Sequence, residues 1–273
     1  MRLPFFRKIV RSVGGDIRPF CYVMSKSGLE EIIKTGFTAL GTELLPGVAE
    51  TFGIYYRELE SRNKAFNLTA IKGETDTAEL HFLDCVALLS FADFGGKSVI
   101  DIGTGAGFPG LPLKIAEPTI NLTLLDSSLK RMRFLRELCP MLGFSDVGFL
   151  AARAEDIKAE QREIFDIAVS RAVSPLNMLC ELCMPYIKPG GVFIAMKGPD
   201  PTEEIKEAKG AVFVLGGAFS SVIHYTVPGT DKKRSAVLIK KIKETPGRYP
   251  RRFARIKTRP LQPSCPDEAE ESQ

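Results

Sequence analysis

KSVIDIGTGAGFPGLPL, residues 97–113, opens with a short apolar run, Val99-Ile100-Asp101-Ile102, of the kind that forms a buried parallel strand. The run breaks into Gly103-Thr104-Gly105-Ala106-Gly107, where alternate glycines allow a tight turn and a close approach of backbone to ligand. Leu111, Leu113 and Ile115 then resume as the apolar positions of a helix. A strand, a glycine turn and a helix make the first half of a nucleotide-binding βαβ unit.

The residues around the glycines discriminate between nucleotides. Gly105 to Gly110 also satisfies the dinucleotide pattern G-x-G-x-x-G, so the glycines alone are a weak signal. A pyrophosphate needs free N–H groups at the helix start and no negative charge nearby. Pro109 and Pro112 each remove a donor, and Asp101 at the strand end repels phosphate. S-adenosylmethionine carries a sulfonium and an ammonium but no phosphate. An acidic residue beside a glycine loop suits it, and the local features favour it over a dinucleotide.

A chain of 273 residues has room for one large domain or two small ones. Its apolar share of 44% and charged share of 26% are ordinary for a globular protein, and no apolar run is long enough to span a bilayer. Six cysteines without a signal-peptide core point to free thiols in a reducing cytoplasm. The net charge of +4 conceals segregation: residues 1–24 carry +4, residues 25–230 carry −6, residues 231–263 carry +10 and the last ten −4. A slightly acidic core with one densely basic segment points to a polyanion contacted at one place.

Residues 1–24 form a basic N-terminal extension, read as a disordered tail or an upstream start with Met24 as the true beginning. Residues 25–66 read as a helical hairpin, with Ser27 as N-cap and a break at Gly41, Pro46 and Gly47; no chemistry is evident in it. The cofactor-binding domain is expected over 67–241, and 242–273 reads as a basic and then acidic tail. Asn67 and Thr69 are polar positions in an apolar hexamer; a loop-fixing role leads over contact with a target base. His81 opens a helix and is more often a structural residue than a catalyst there. With His224 as the only other histidine, a histidine-based metal site is not expected.

Asn121 to Asp126 is a second strand ending in a carboxylate, 19 residues past Gly107, the spacing at which an acid can hold ribose hydroxyls. Ser127 and Ser128 are natural caps for a helix from Leu129 that carries Arg131 and Arg133. A third strand, 147–150, leads to Ala154-Glu155, where an acid faces an adenine amino group. A fourth, 165–170, delivers Arg171 at its carboxyl end, where open parallel sheets bind ligands. Cys180 and Cys183 are expected to pack inside a helix rather than to work in redox or zinc chemistry. A fifth strand ends at Lys197-Gly198, and two more near 221–227 and 236–240 close the sheet, the last pair as a hairpin.

The ordered motifs NLTAI (67–71), HFLD (81–84), DIGTGAGFPGLPL (101–113), LLDSSLKRMRFL (124–135), RAE (153–155), SRA (170–172), KG (197–198), YPRR (249–252) and RPL (259–261) resemble those of the bacterial small-subunit ribosomal RNA guanine-N7 methyltransferases, also called glucose-inhibited division protein B. The resemblance covers about residues 30–261. It departs at Cys85, where the family usually has serine, and at Ala254 and Ile256, where glycine and proline are usual. It implies an α/β, Rossmann-like class I S-adenosylmethionine-dependent methyltransferase: a mixed, mostly parallel seven-stranded sheet with helices on both faces and an N-terminal helical extension. It also implies methyl transfer from S-adenosylmethionine to N7 of a guanosine in small-subunit ribosomal RNA.

The resemblance assigns Gly103, Phe108, Ala154, Glu155 and Arg171 to the cofactor, beside Asp101, Gly105 and Asp126. Arg171, Asn67 and His81 are the catalytic candidates, with no general base required and no metal. RNA contacts are expected from Arg131, Arg133, Lys197, Arg248, Arg251, Arg252, Arg255, Lys257 and Arg259. The expected partner is small-subunit ribosomal RNA, free or in a pre-ribosomal particle, met by a cytoplasmic monomer. The alternatives are a methyltransferase of another RNA, a protein or a small molecule with the same cofactor site, and a nicotinamide dehydrogenase.

Overall fold

β1 (Ser98–Ile102) alternates between two apolar layers: Val99 points into one, Ile100 and Ile102 into the other, all almost fully buried. Burial on both faces is what a central parallel strand requires. The computed structural model describes residues 28–66, 69–171 and 174–262; the expected basic extension, Ser27, the candidate Asn67 and the acidic end of the chain lie outside them.

β1 pairs in parallel with β2 (Asn121–Leu125) on one side and β4 (Phe165–Ser170) on the other. β3 (Gly148–Leu150) extends the sheet beyond β2, and β5 (Ile187–Lys197) extends it beyond β4. β7 (Lys233–Lys241) runs antiparallel to β5, and β6 (Gly217–Thr226) antiparallel to β7 at the edge. The seven-stranded order is β3-β2-β1-β4-β5-β7-β6. The final hairpin makes the sheet mixed, as the strand pattern predicts.

One face is covered by α1 (Gly28–Leu40), α2 (Val48–Phe66), α5 (Gly110–Ala116) and α6 (Leu129–Met141), whose Leu29, Phe52, Leu113 and Leu135 share a core with Val99 and Val169. A run of short helical turns also lies there: α3 (Glu74–Thr77), a π-helical turn Ala78–Leu83, α4 (Asp84–Val86) and a 3-10 turn Ala87–Ser90. The other face carries α7 (Leu176–Cys183) and α8 (Thr202–Val214). Cys180 and Cys183 are fully buried in α7, and burial pushes both thiols up, so they are packing residues. α8 escapes sequence reading because its inward positions, Ala208, Gly210, Ala211 and Val212, are mostly small and sit among charges.

Two departures bear on the site. The α1–α2 hairpin reaches the glycine loop: the Tyr55 hydroxyl donates to the Ala106 carbonyl at 2.6 Å, and its ring stacks on Phe108 with centroids 5.5 Å apart. The expected basic tail is instead seated on the domain through residue 262. The Arg162 guanidinium donates to the carbonyls of Thr245 and Tyr249 at 2.6 and 2.8 Å, and Tyr249 and Ile256 are buried, the latter in α9 (Phe253–Thr258).

Gly107 adopts φ +110°, and a Cβ there would stand 2.5 Å from the Tyr55 hydroxyl and 2.7 Å from Leu111 Cδ1. Gly107→Ala is expected to cost about 1–3 kcal/mol or more, read as a lower urea midpoint with an unchanged slope.

Candidate active site

Asp101 departs from its expected place. Its side chain points into the layer under the glycine loop and is 0% exposed. Oδ2 accepts from the Thr104 hydroxyl at 2.6 Å and from the Gly110 amide at 2.8 Å, while Oδ1 is buried with no partner among the described residues. The carboxylate thus supplies its own anion to the start of α5 and pins both ends of the loop. Burial lifts its pKa to about 7, against the pull of those two hydrogen bonds.

Most of the other loop amides are also taken. Those of Gly103 and Thr104 donate to Leu125 O, those of Gly107 and Phe108 to Thr104 O, and that of Leu111 to Gly107 O. The Gly105 amide donates to Asp126 Oδ2 at 3.0 Å. A pyrophosphate would find most of this loop's donors already used, which is the physical case against a dinucleotide.

Along the carboxyl ends of β1 and β2 runs a crevice of about 400 Å³, lined by Gly103, Asp126, Ala154 and Glu155 among others. It lies beside the switch point between β1 and β4, where doubly wound sheets bind ligands. Asp126 is held by the Gly105 and Ser128 amides, the latter at 2.8 Å, and by Arg131 at 3.4 Å. A carboxylate accepts about four hydrogen bonds, so one direction stays open, and a second opens when the half-exposed Arg131 swings aside. Glu155 lies 3.9 Å from Arg153 with its side chain 9% exposed. Two carboxylates, an apolar wall and a loop with most of its amides engaged fit a nucleoside with a cationic, phosphate-free tail.

On the other side of the end of β4, a second cavity of about 430 Å³ is lined by His81, Asp84, Arg171, Lys197, Glu204 and Arg234 with neighbouring apolar residues. Arg171 donates to Leu80 O at 3.2 Å and to His81 Nδ1 at 2.7 Å, lies 3.6 Å from Asp84 Oδ2 and covers the Phe108 ring at 4.8 Å. A guanidinium has no lone pair to offer, so Nδ1 is the acceptor and the His81 proton sits on Nε2. That N–H donates to the Thr69 hydroxyl at 2.6 Å, which also accepts from the Ile71 amide at 3.1 Å. Burial, and then the Arg171 charge, hold His81 down to a pKa of about 3. The imidazole is neutral with both nitrogens engaged, stacked 4.3 Å from Phe108, and it serves to fix Arg171 rather than to move protons. Phe108, expected at the cofactor, is 5% exposed inside this stack.

The expected RNA-binding cations divide. Lys197 is buried, its ammonium on Ser174 O at 2.7 Å and Glu204 Oε2 at 2.6 Å. Arg251 is bound to the fully buried Glu181 through Nε at 2.8 Å and Nη2 at 2.6 Å. Both are structural ion pairs, since stripping water from such charges is tolerable only when they are paired. Arg133 is 82% exposed beside Glu137, and Arg248, Arg252, Arg255, Lys257 and Arg259 are exposed. Sequence reading missed Tyr55, whose partner Ala106 is 51 positions away, and Tyr225, whose hydroxyl donates to Asp84 Oδ1 at 2.9 Å.

The sheet order with its antiparallel β7 and the crevice beside the β1 loop define a Rossmann-like class I methyltransferase. Residues 48–235 match the family described as GidB, rRNA small subunit methyltransferase G, and the chain belongs to that family. It is 46% identical over 210 residues to the ribosomal RNA small subunit methyltransferase G of Clostridium botulinum, covering 76% of this chain and 88% of that one. The Pelotomaculum thermopropionicum protein of the same name is 43% identical over 238 residues, 86% of this chain and 100% of that one. Among solved structures, TrmN from Thermus thermophilus is 22% identical, with a TM-score of 0.46 over 58% of this chain and 48% of that one. No described helix is long and apolar enough to cross a membrane.

Because the folded pKa of Asp101 is raised, the folded state holds the proton more tightly. The stability this confers is present below about pH 4 and lost as pH rises through about 7. Chemical denaturation from pH 5 to 8 should show Asp101→Asn gaining on the parent protein as pH rises, and parallel curves would contradict the assignment.

Proposed function

We propose that the chain transfers the methyl group of S-adenosylmethionine to N7 of a guanosine in small-subunit ribosomal RNA. The observation that carries this reading is the pairing of a crevice bearing Asp126 and Glu155, beside a loop most of whose donors are spent, with a second cavity across the end of β4. In this reading Asp126 accepts the ribose hydroxyls, Glu155 faces the adenine amino group and the anchored Arg171 guanidinium meets the amino-acid carboxylate. When bound, S-adenosylmethionine supplies a methyl carbon already activated by its sulfonium.

Guanine N7 holds an in-plane lone pair and no proton, so no side chain has to act as a base. A neutral His81 with both nitrogens engaged accords with that. What remains for the protein is alignment of nitrogen, carbon and sulfur, which alone lowers a barrier by ~7–11 kcal/mol. The ring becomes cationic, so Arg171, tied to His81 and 3.6 Å from Asp84, is better held toward the cofactor than released onto the base. N7 lies deep in the A-form major groove, so the target base is unpaired or splayed when it is reached. The exposed cations of residues 248–259 meet the phosphates.

Incubation with labelled S-adenosylmethionine and unmodified ribosomal RNA should yield 7-methylguanosine by nucleoside mass spectrometry; label in another nucleoside, in protein or nowhere refutes the reading. Asp126→Ala should weaken S-adenosylhomocysteine binding about 10–100-fold in calorimetry, the worth of one charge-assisted hydrogen bond. The double variant Arg252→Ala with Arg255→Ala should lower the salt slope of RNA binding by about 2 while cofactor binding is retained.

A further inference from the structure

We infer that the C-terminal basic segment is a wall of the cofactor crevice and that Phe253 is a cofactor-binding residue in it, positioned by the buried Arg251–Glu181 pair. The inference rests on the S-adenosylmethionine reading above. Phe253 lines the same cavity of about 400 Å³ as Asp126 and Glu155, although it follows Glu155 by nearly a hundred positions in the chain. With Ile102, Leu125, Leu179 and Leu182 it supplies the apolar part of that lining.

The ring is held where it is. Arg251 donates to Glu181 Oε1 through its backbone amide at 2.9 Å as well as through its guanidinium, and Glu181 is fully buried on α7. α7 also carries Leu179 and Leu182, so one helix sets both part of the apolar wall and the anchor of the basic segment. Tyr249 and Ile256, buried on either side, fix the segment before and after Phe253. A buried, bidentate ion pair with an extra amide bond is a costly way to hold a surface tail, and a reasonable way to hold one side chain over a ligand.

The chemistry of the crevice matches the ligand's nucleoside end. A purine offers flat apolar faces and a polar rim, and this cavity offers an aromatic ring and aliphatic side chains with carboxylates at the edges. Aromatic contact with a base face is tolerant of detail and adds usefully to affinity.

The chain contains no tryptophan, so Phe253→Trp creates a single tryptophan, at the crevice, that can be excited apart from the six tyrosines. Full-length parent, Phe253→Ala and Phe253→Trp proteins would each be titrated with S-adenosylhomocysteine by calorimetry, and the Trp variant also by emission. The parent is expected to bind, Phe253→Ala to bind about tenfold more weakly while remaining folded at the titration temperature, and Phe253→Trp to retain binding with an emission change whose midpoint matches the calorimetric Kd. Equal affinity of the Ala variant and the parent, or flat emission while calorimetry records binding, overturns this inference and leaves the cofactor reading standing. A parent protein that binds no S-adenosylhomocysteine overturns the cofactor reading itself.

Discussion

The Asp101 carboxylate beneath the glycine loop is the constraint on which the site depends. By accepting from the Thr104 hydroxyl and the Gly110 amide it joins the end of β1 to the start of α5 and sets the arc between them. Gly110 has to be glycine for this: a Cβ would fall 2.9 Å from Asp101 Oδ2 and 2.9 Å from Leu124. Tyr55 closes the same arc from the helical hairpin by binding Ala106 O. A loop satisfied from both sides has few amides left for phosphate, and it turns its exposed Gly103 toward the crevice. Ligand choice therefore follows from where the protein spends its own hydrogen bonds.

The β1 loop, the carboxylate after β2 and the sheet around them can be read in the sequence because each rests on local pattern: an unbroken apolar run, alternate glycines, a cap after an acid. Asp101 shows the limit of such reading. Its position at the strand end is plain, but the layer it faces depends on the pleat, and the pleat turns it to the side of Val99 rather than to the side of Ile102, which lines the crevice. Lys197 and Arg251 look like free cations for the same reason. Their partners, Glu204 and Glu181, are 7 and 70 positions away, and only folding reveals that they are paired. The seating of residues 242–262 was likewise hidden, since a basic run reads as solvated unless its few apolar members, Tyr249, Phe253 and Ile256, are weighed against the cations around them.

Around Arg171 the structure joins parts that sequence separates widely. Tyr225 on β6, Asp84 on α4, Arg171 after β4, His81 in the π-helical turn and Thr69 form one hydrogen-bonded and ionic chain. Burial makes every link matter, because a guanidinium stripped of water needs each of its partners. The result is a cation fixed in the wall of the second cavity, beside a neutral imidazole with both nitrogens engaged. In the function proposed above, such a site aligns reactants rather than shuttling protons.

The measurement that tests the central claim most directly is a crystal structure of the protein soaked with S-adenosylhomocysteine. The account predicts the ligand's ribose hydroxyls on Asp126, its adenine beside Glu155 and its amino-acid end toward Arg171, with the loop amides still bonded within the protein. An empty crevice at saturating ligand, or one that instead takes up a phosphate-bearing dinucleotide on the Gly105–Gly110 amides, would contradict it.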